Sequence, residues 1–201
     1  MANVNSPFGF TPIKSLDGSS WNGKTYMFLV PSTDATDIFP GDLVDLAGSA
    51  NSTVIDGFPI GTLPTVILAT VGATHRILGA VVSIKKPVDM DDNLTKRYRV
   101  KSTNTIVLVA LANNTIFAAQ NDGTSVYTSA GTNCNFSAGA GGSTVTANSS
   151  HQIDTSEIAN DATYQLDILR LRNVPNNAVG AYAVDEVFIN LPRISADTIG
   201  V

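Results

Sequence analysis

Residues 97–123 read RYRVKSTNTIVLVALANNTIFAAQNDG, and their pattern indicates more about the architecture than any other part of the chain. Residues 106–111 form an unbroken apolar run, rich in β-branched side chains, between two turn signals. Such a run is typical of a strand that is buried on both faces. Asn113 and Asn114 follow as a turn, and residues 115–119 resume the apolar pattern. This spacing predicts that the second apolar segment is the hairpin partner of the first.

The beginning of the same stretch carries basic side chains on alternate residues. Arg97, Arg99 and Lys101 alternate with Tyr98 and Val100, so a strand here would have one cationic face and one apolar face. The other basic residues close by in sequence are Lys85, Lys86 and Lys96. The chain as a whole has a net charge of -5, so this polarised charge favours an oppositely charged partner. Nucleic acid is not favoured, because only Tyr98 is interleaved with the basic residues as a stacking aromatic.

Further apolar segments between turn signals predict additional strands at residues 24–30, 39–46, 65–69, 77–84, 164–172 and 181–191. Gly79 inside one of them predicts a bulge or a close backbone approach. A change in the apolar alternation at residues 168–169 predicts a β-bulge. The spacing of a capping box from Asp154 to Glu157 predicts one short helix within residues 155–160. The sequence therefore predicts an all-β fold, an antiparallel β-sandwich or barrel, with at most that one helix.

The N-terminal residues 1–23 are expected to form an extended arm and loop ahead of a β domain at residues 24–201. Two prolines and a glycine surround Phe8 and Phe10 within residues 7–12, a composition that a helix or a central strand does not accept. The two phenylalanines need an apolar environment, either in the protein's own core or on a neighbouring subunit. Since no strand is predicted before residue 24, removing residues 1–12 is expected to leave the β domain intact.

Residues 128–150 are rich in Gly, Ser, Thr, Ala and Asn, with Gly-Ala-Gly-Gly at their centre. Such a composition predicts a loosely packed insertion, a long loop or weak hairpin at the periphery of the β domain. Cys134, Phe136 and Val145 are the only side chains in it that we expect to be buried.

Few residues could carry catalysis. Cys134 is the only cysteine, which excludes an internal disulfide, and His75 and His151 are the only histidines. Cys134 and His151 could form a thiol and base pair, but the preferred interpretation is an inert cysteine in a loop and an unrelated surface histidine. The sequence contains no nucleophile elbow, zinc-binding His-Glu pair or Walker loop. We therefore expect a protein that is not an enzyme and that needs no cofactor.

A metal-like pattern occurs at Asp89, Asp91 and Asn93, which match the first ligands of a calcium loop. Leu94 replaces the glycine that the sharp turn of such a loop requires, and Val100 replaces the bidentate glutamate. A solvated acidic turn between strands is therefore the preferred interpretation, and no metal ligand is assigned.

The sequence shows no sign of export or of membrane insertion. Its first residues lack the basic and apolar regions of a secretory signal, and its apolar runs are far shorter than the ~20 residues that span a bilayer. We expect a protein that is made in the cytoplasm and has no membrane partner.

Four segments carry a resemblance that spacing alone does not provide. They read Pro-Phe-Gly-Phe-Thr-Pro at 7–12, Phe-Pro-Gly-Asp-Leu-Val at 39–44, Ile-Phe-Ala-Ala-Gln at 116–120 and Asn-Asn-Ala-Val-Gly-Ala-Tyr at 176–182. Together and in this order the chain resembles the capsid decoration, or cement, proteins of tailed bacteriophages. Thr11 departs from the pattern, because a basic residue is expected after the second phenylalanine.

The resemblance implies a structural protein on the outer surface of the virion capsid, made in the host cytoplasm. Its partner would be the major capsid protein, and it would stabilise the shell by clamping adjacent coat subunits. The resemblance carries over no catalytic residues. We expect Phe8, Phe10, Arg97, Arg99 and Lys101 to contact the capsid, and we expect a homo-oligomer, with a trimer favoured over a dimer. The alternative is a carbohydrate-binding or host-surface-binding β-sandwich module, for which Trp21 and Tyr127 are the available aromatic residues.

Overall fold

The computed structural model describes residues 3–85 and 96–195, and over these residues the chain is all-β, as predicted. Its strands are β1 (Thr11–Ser15), β2 (Tyr26–Val30), β3 (Leu43–Ala50), β4 (Pro64–Leu68), β5 (Gly79–Lys85), β6 (Thr105–Leu111), β7 (Thr115–Gln120), β8 (Thr132–Cys134), β9 (Phe136–Ser137), β10 (Gln152–Ile153), β11 (Leu166–Leu171) and β12 (Val184–Ile189). The helical structure in the described residues consists of three-residue 3-10 turns, and none of these helices could cross a membrane.

Five strands close into a barrel in the order β2-β4-β3-β5-β6. All of its neighbouring strands are antiparallel except β2 and β4, which run parallel. Alternate residues of the strands fill the interior, because successive side chains of a strand point to opposite faces. Phe28 and Val30 of β2 pack there with Val107 and Val109 of β6.

The other strands form an antiparallel sheet in the order β1-β7-β12-β11-β8, accompanied by the short hairpin of β9 and β10. The largest core cluster joins this sheet to the barrel: Phe117 of β7 and Val187 of β12 belong to the same cluster as Leu43 of β3 and Ala110 of β6. The barrel and the sheet are therefore packed on a shared apolar interior.

The predicted hairpin between residues 106–111 and 115–119 is wrong. Both segments are strands, but β6 pairs with β2 and β5 in the barrel, whereas β7 pairs with β1 and β12 in the sheet. A 3-10 turn at Ala112–Asn114 separates them, and the Ala112 N–H donates to the Leu78 carbonyl at 2.9 Å. The turn redirects the chain from one layer to the other, and each strand is paired on both sides within its own layer.

Local backbone predictions are largely confirmed. A Cβ at Gly79 would lie 2.1 Å from the Ala110 carbonyl oxygen, which is a close backbone approach. The register of β11 and β12 shifts between Ile168 and Arg170, where the bulge was predicted. The predicted helix is reduced to a 3-10 turn at Thr155–Glu157, and the Asp154 side chain caps it by accepting the Ser156 N–H at 2.9 Å.

The proposed boundary at residue 23 does not hold, and of the three side chains expected to be buried within residues 128–150, two are buried. Strand β1 belongs to the main sheet, so the N-terminal region is part of the domain. Cys134 of β8 and Phe136 of β9 are fully buried in the largest core cluster, whereas Val145 is exposed. The small residues around Cys134 and Phe136 concealed two short strands, because their composition resembles that of a loop.

The chain's own loops cover both outer strands of the sheet. Beside β1, the Ser15 N–H donates to the Ser19 carbonyl at 2.9 Å, and the Trp21 N–H donates to the Ile13 carbonyl at 3.2 Å. Beside β8, Asn133 and Ala159 exchange two backbone hydrogen bonds of 2.8 and 2.9 Å. The outward backbone groups of both edge strands are therefore partly paired.

Candidate partner-binding surface

The N-terminal segment is held along the sheet by side-chain amides. Asn3 donates to the carbonyls of Ala178 and Ala181 at 2.8 and 2.9 Å. Gln120, at the end of β7, accepts from the Ser6 N–H at 2.9 Å and donates to the Val4 carbonyl at the same distance. These bonds satisfy backbone groups that sheet pairing leaves open, so the segment adopts a fixed extended conformation.

The segment then passes Gly41 at a distance that only glycines permit. The Phe10 N–H donates to the Gly41 carbonyl at 2.9 Å. A Cβ at Gly9 would lie 2.5 Å from the Gly41 oxygen, and a Cβ at Gly41 would lie 2.5 Å from the Phe8 oxygen. Both glycines also have positive φ angles, of 74° and 95°, which other residues rarely adopt. The two glycines therefore set the path of the segment.

Beyond this crossing, Phe10 enters the core. Its ring is fully buried and meets Phe136 edge to face, with 6.5 Å between the ring centroids. The predicted contact between Phe10 and a capsid is therefore wrong, whereas Phe8 is partly exposed. The expectation that residues 1–12 are dispensable is also wrong, because their removal would take away a core aromatic and part of β1.

The four segments that carry the resemblance are thus joined in space. Residues 7–12 cross residues 39–44 at Gly41, and the preceding residues bind Gln120 of the third segment and Ala178 and Ala181 of the fourth. Residues far apart in the chain form one structural unit around the N-terminal segment. The contacts between the four segments give a physical reason why they occur together in one sequence.

Next to this unit lies a group of exposed apolar side chains, which we call the arm-side apolar surface. Its residues, with their exposed fractions, are Val4 (74%), Val126 (52%), Tyr127 (83%) and Val179 (49%). The last three line a small cavity of about 30 Å³. The Ser125 N–H donates to the Gly180 carbonyl at 3.1 Å, which places Val126 beside the segment that binds Asn3. Sequence reasoning missed this surface, because isolated apolar residues in loops have no periodicity.

The predicted cationic face is not formed, because Arg99 is buried. Its guanidinium donates to the Pro31 carbonyl at 2.8 Å and to the Thr103 carbonyl at 3.0 Å, and Nη1 lies 3.3 Å from Asp34 Oδ1. Residues 97–101 form no strand, and only Arg99 makes a bridge, with Ile38. Burial lowers the pKa of Arg99, although the nearby Asp34 opposes this effect. Arg99 fastens two loops together and is not available to a partner.

The remaining basic residues are dispersed. Arg97 and Lys101 are exposed, as a partner contact requires. Lys85 forms an ion pair with Asp56 at 2.5 Å and lies 5.2 Å from the centre of the Phe58 ring. Outside the described residues lie Lys86, Asp89, Asp91 and Asn93. Of the predicted contact residues, Phe8, Arg97 and Lys101 therefore remain as candidates.

His151 is buried, contrary to the expectation of a surface histidine. Its Nδ1 accepts the Leu43 N–H at 3.0 Å, and its Nε2 lies 3.7 Å from Asp42 Oδ1. Burial lowers the pKa of His151 to about 4, so the ring is neutral at pH 7 and makes no ion pair there. Burial, and next the surrounding carboxylates, raise the pKa of Cys134, so its thiol is protonated and a poor nucleophile.

Asp42, Ser149 and His151 have the composition of a catalytic triad but the wrong geometry. In a triad the carboxylate accepts from Nδ1–H and Nε2 faces the serine, whereas here a backbone amide occupies Nδ1 and Nε2 faces the carboxylate. Ser149 is buried, and its hydroxyl accepts the His151 N–H at 3.0 Å. Asp42 accepts the Phe39 N–H at 2.7 Å, and burial raises its pKa to about 6. These contacts support a structural role for the cluster.

Within residues 3–85 and 96–195, no group of three or more His, Cys, Asp or Glu side chains is arranged to hold a metal ion. Comparison with known proteins finds no matching family model, no matching curated protein and no matching solved structure.

Proposed function

We propose that this chain is a structural protein of a bacteriophage virion that binds the outer surface of the assembled capsid. It stabilises the shell by clamping adjacent subunits of the major capsid protein and performs no catalysis. The observation that carries the proposal is the assembly of the four decoration-protein-like segments into one structural unit around residues 3–10. The hydrogen bonds that join these segments support the resemblance as one of fold and not of scattered short matches.

The arm-side apolar surface supports a partner contact next to that unit. Exposed apolar side chains that cluster on one side of a folded domain are typical of interaction sites. Tyrosine is enriched among residues that dominate binding energies, since its ring contributes a large contact area and its hydroxyl a hydrogen bond. We place the shell contact at Tyr127 and its neighbours, with Phe8, Arg97 and Lys101 as further contact residues, and we retain the homotrimer as the favoured assembly.

The test uses shells assembled from coat protein alone and the full-length chain. Wild-type protein should cosediment with the shells, decorate their outside in electron micrographs and raise the temperature at which they disrupt. Tyr127→Ser should weaken binding by about tenfold or more, as expected for a central interface tyrosine. Tyr26→Ser is the matched control, because Tyr26 is a second exposed tyrosine, on β2. Failure of the wild type to bind the shells, or equal binding by both variants, contradicts the proposal or its contact surface.

The oligomeric state has a separate readout. Light scattering of the free protein should give the mass of a trimer, or isolated copies should join as trimers on the shell. Monomers both in solution and on the shell would contradict the trimer. They would not affect the test of shell binding.

A carbohydrate-binding role is the second candidate function. The observation that favours it is a cavity beside Trp21, far along the chain from Tyr127 and lined by other residues.

A further inference from the structure

The small cavity of the arm-side apolar surface has a carboxylate in its lining. The cavity measures about 30 Å³, and Asp185 lines it together with three residues of that surface. Asp185 is the second residue of β12 and has the same parity along the strand as Val187 and Ile189, whose side chains belong to the core. The Asp185 side chain therefore points inward from the sheet, toward the space between β12 and residues 125–130.

Asp185 is a nearly buried carboxylate without a counter-ion. It is 2% exposed, and no basic side chain within residues 3–85 and 96–195 forms an ion pair with it. Its Oδ2 accepts the Asn121 Nδ2–H at 2.8 Å. Oδ1 accepts no hydrogen bond from the described residues, but it is not sealed from solvent, so a group in the cavity can reach it.

This arrangement is costly for the ionised carboxyl. Burial raises the pKa of Asp185, although the hydrogen bond from Asn121 opposes this effect. A buried charge is stabilised when an opposite charge pairs with it, and the protein supplies none here. A cation that enters the cavity from outside would provide the missing partner.

The size and the donor set of the cavity restrict the kind of cation. Its volume of about 30 Å³ exceeds the ~10 to 15 Å³ that one water molecule needs, so a head group of similar size fits. The ammonium group of lysine is compact, whereas the guanidinium group of arginine is planar and broader. A metal ion is not favoured, because no group of three or more His, Cys, Asp or Glu side chains in the described residues is arranged to hold one.

The apolar part of the lining suits the rest of a lysine side chain. Val126, Tyr127 and Val179 line the cavity, and each of them is about half exposed or more. The methylene groups of a lysine pack on apolar side chains while its ammonium reaches a polar group. A tyrosine ring also attracts a cation to its face. A carboxylate below exposed apolar side chains therefore matches a side chain that has an apolar stem and a small cationic end.

We propose that, in the shell contact at Tyr127, a lysine side chain of a coat subunit enters this cavity and pairs with Asp185. The lysine stem lies against Tyr127 and Val179, and its ammonium donates to Asp185 Oδ1. The identity of the partner rests on the proposed function, whereas the preference of the cavity for an alkylammonium group does not.

The preference of the cavity can be measured without shells. Isotope-labelled full-length protein is titrated with n-butylammonium chloride, which mimics the lysine side chain, and with n-butylguanidinium chloride and sodium chloride for comparison. The amide NMR signals of residues 125–130 should shift saturably with butylammonium, with a dissociation constant of about 10 to 100 mM for so small a ligand. Asp185→Asn should respond to butylammonium only as it does to sodium chloride. No saturable shift, an unchanged response in Asp185→Asn, or equally tight binding of butylguanidinium overturns the proposal.

Shell binding tests the partner. Asp185→Asn should weaken cosedimentation with shells by about tenfold or more, because the inserted lysine would lose its counter-ion. Asparagine keeps the shape of the side chain and can still accept the Asn121 N–H, so urea unfolding should show no loss of stability. Asp17→Asn is the matched control and should bind like the wild type. It removes the same charge from an exposed side chain in the loop beside β1, at the opposite edge of the sheet from β8.

Acetylation of the shell's lysines removes their charge and provides a test from the partner's side. It should weaken binding of the wild type more than binding of Asp185→Asn. If the wild type binds shells and Asp185→Asn binds them equally well, the lysine contact is wrong and the proposed function stands. If the wild type binds no shells, the proposed function and the coat lysine both fail, and the butylammonium titration still decides the preference of the cavity.

Discussion

Asp42 and His151 should give the stability of this protein opposite dependences on pH, and single substitutions should reveal each of them. Burial raises the pKa of Asp42 from 3.8 to about 6. The folded state then binds a proton more tightly than the unfolded state, so this contribution to stability is present below pH 3.8 and is lost as pH rises through 6. At about 1.4 kcal/mol per pH unit, the loss is about 3 kcal/mol.

His151 acts in the reverse direction over nearly the same range. Burial lowers its pKa from 6.5 to about 4. The neutral ring is favoured in the fold, so its contribution is present above pH 6.5 and is lost as pH falls through 4, again by about 3 kcal/mol. In the wild type the two effects largely cancel between pH 4 and 6.5.

The perturbations are Asp42→Asn and His151→Asn. Asparagine at 42 can still accept the Phe39 N–H, and asparagine at 151 can place its oxygen near the position of Nδ1, which accepts the Leu43 N–H. Relative to wild type, the stability of Asp42→Asn should fall by about 3 kcal/mol on acidification from pH 6.5 to 4, since only His151 still titrates. The stability of His151→Asn should rise by a similar amount over that range.

The assay is urea unfolding at half-unit steps from pH 3.5 to 7.5, with the difference between variant and wild type taken at each pH. This difference removes the contributions of the other carboxylates, including Asp185, whose pKa burial also raises. If both variants follow the wild-type profile in parallel, neither group is buried as described and the reasoning fails.

Further substitutions test the internal contacts. Phe10→Ala should cost about 3 to 5 kcal/mol of unfolding free energy, because it empties part of the core, whereas the partly exposed Phe8→Ala should cost clearly less; equal costs would contradict the described path of the segment. Arg99→Lys should cost about 2 kcal/mol or more in urea unfolding, because lysine cannot replace the planar donor set, while the exposed Arg97→Lys should stay within about 0.5 kcal/mol. Cys134 should react with a thiol-specific reagent in urea and not in the native state; rapid native reaction would show that β8 opens.

Much of the strand inventory follows from local sequence, because turn residues and apolar runs are local signals. The bulge between Ile168 and Arg170 and the close approach at Gly79 were both predicted on that basis. The partners of β6 and β7 were not predicted, since a short turn between two buried apolar runs can form either a hairpin or a connection between two layers. Only the positions of β2, β5, β1 and β12 distinguish the two outcomes.

The candidate surfaces were harder to predict than the fold. Arg99 belongs to an alternating basic pattern, but carbonyls contributed by residues 31–36 draw it inward, and no local pattern records that contact. The cavity beside Trp21 likewise needs Leu111 and Asn114, which lie about ninety residues away in the chain. Phe10 was recognised as needing an apolar environment, and its own core provides it.

The loop pairing at both sides of the sheet bears on how copies of this protein behave when they are crowded together. A barrel that closes on itself has no free strand, and the outer strands β1 and β8 are bridged by residues 19–21 and by Ala159. Within residues 3–85 and 96–195, the edges of the five-stranded sheet therefore offer little unpaired backbone to which a neighbouring copy could add a β-strand. Partial pairing of these edges therefore disfavours strand-to-strand stacking between copies, the step from which cross-β fibrils grow.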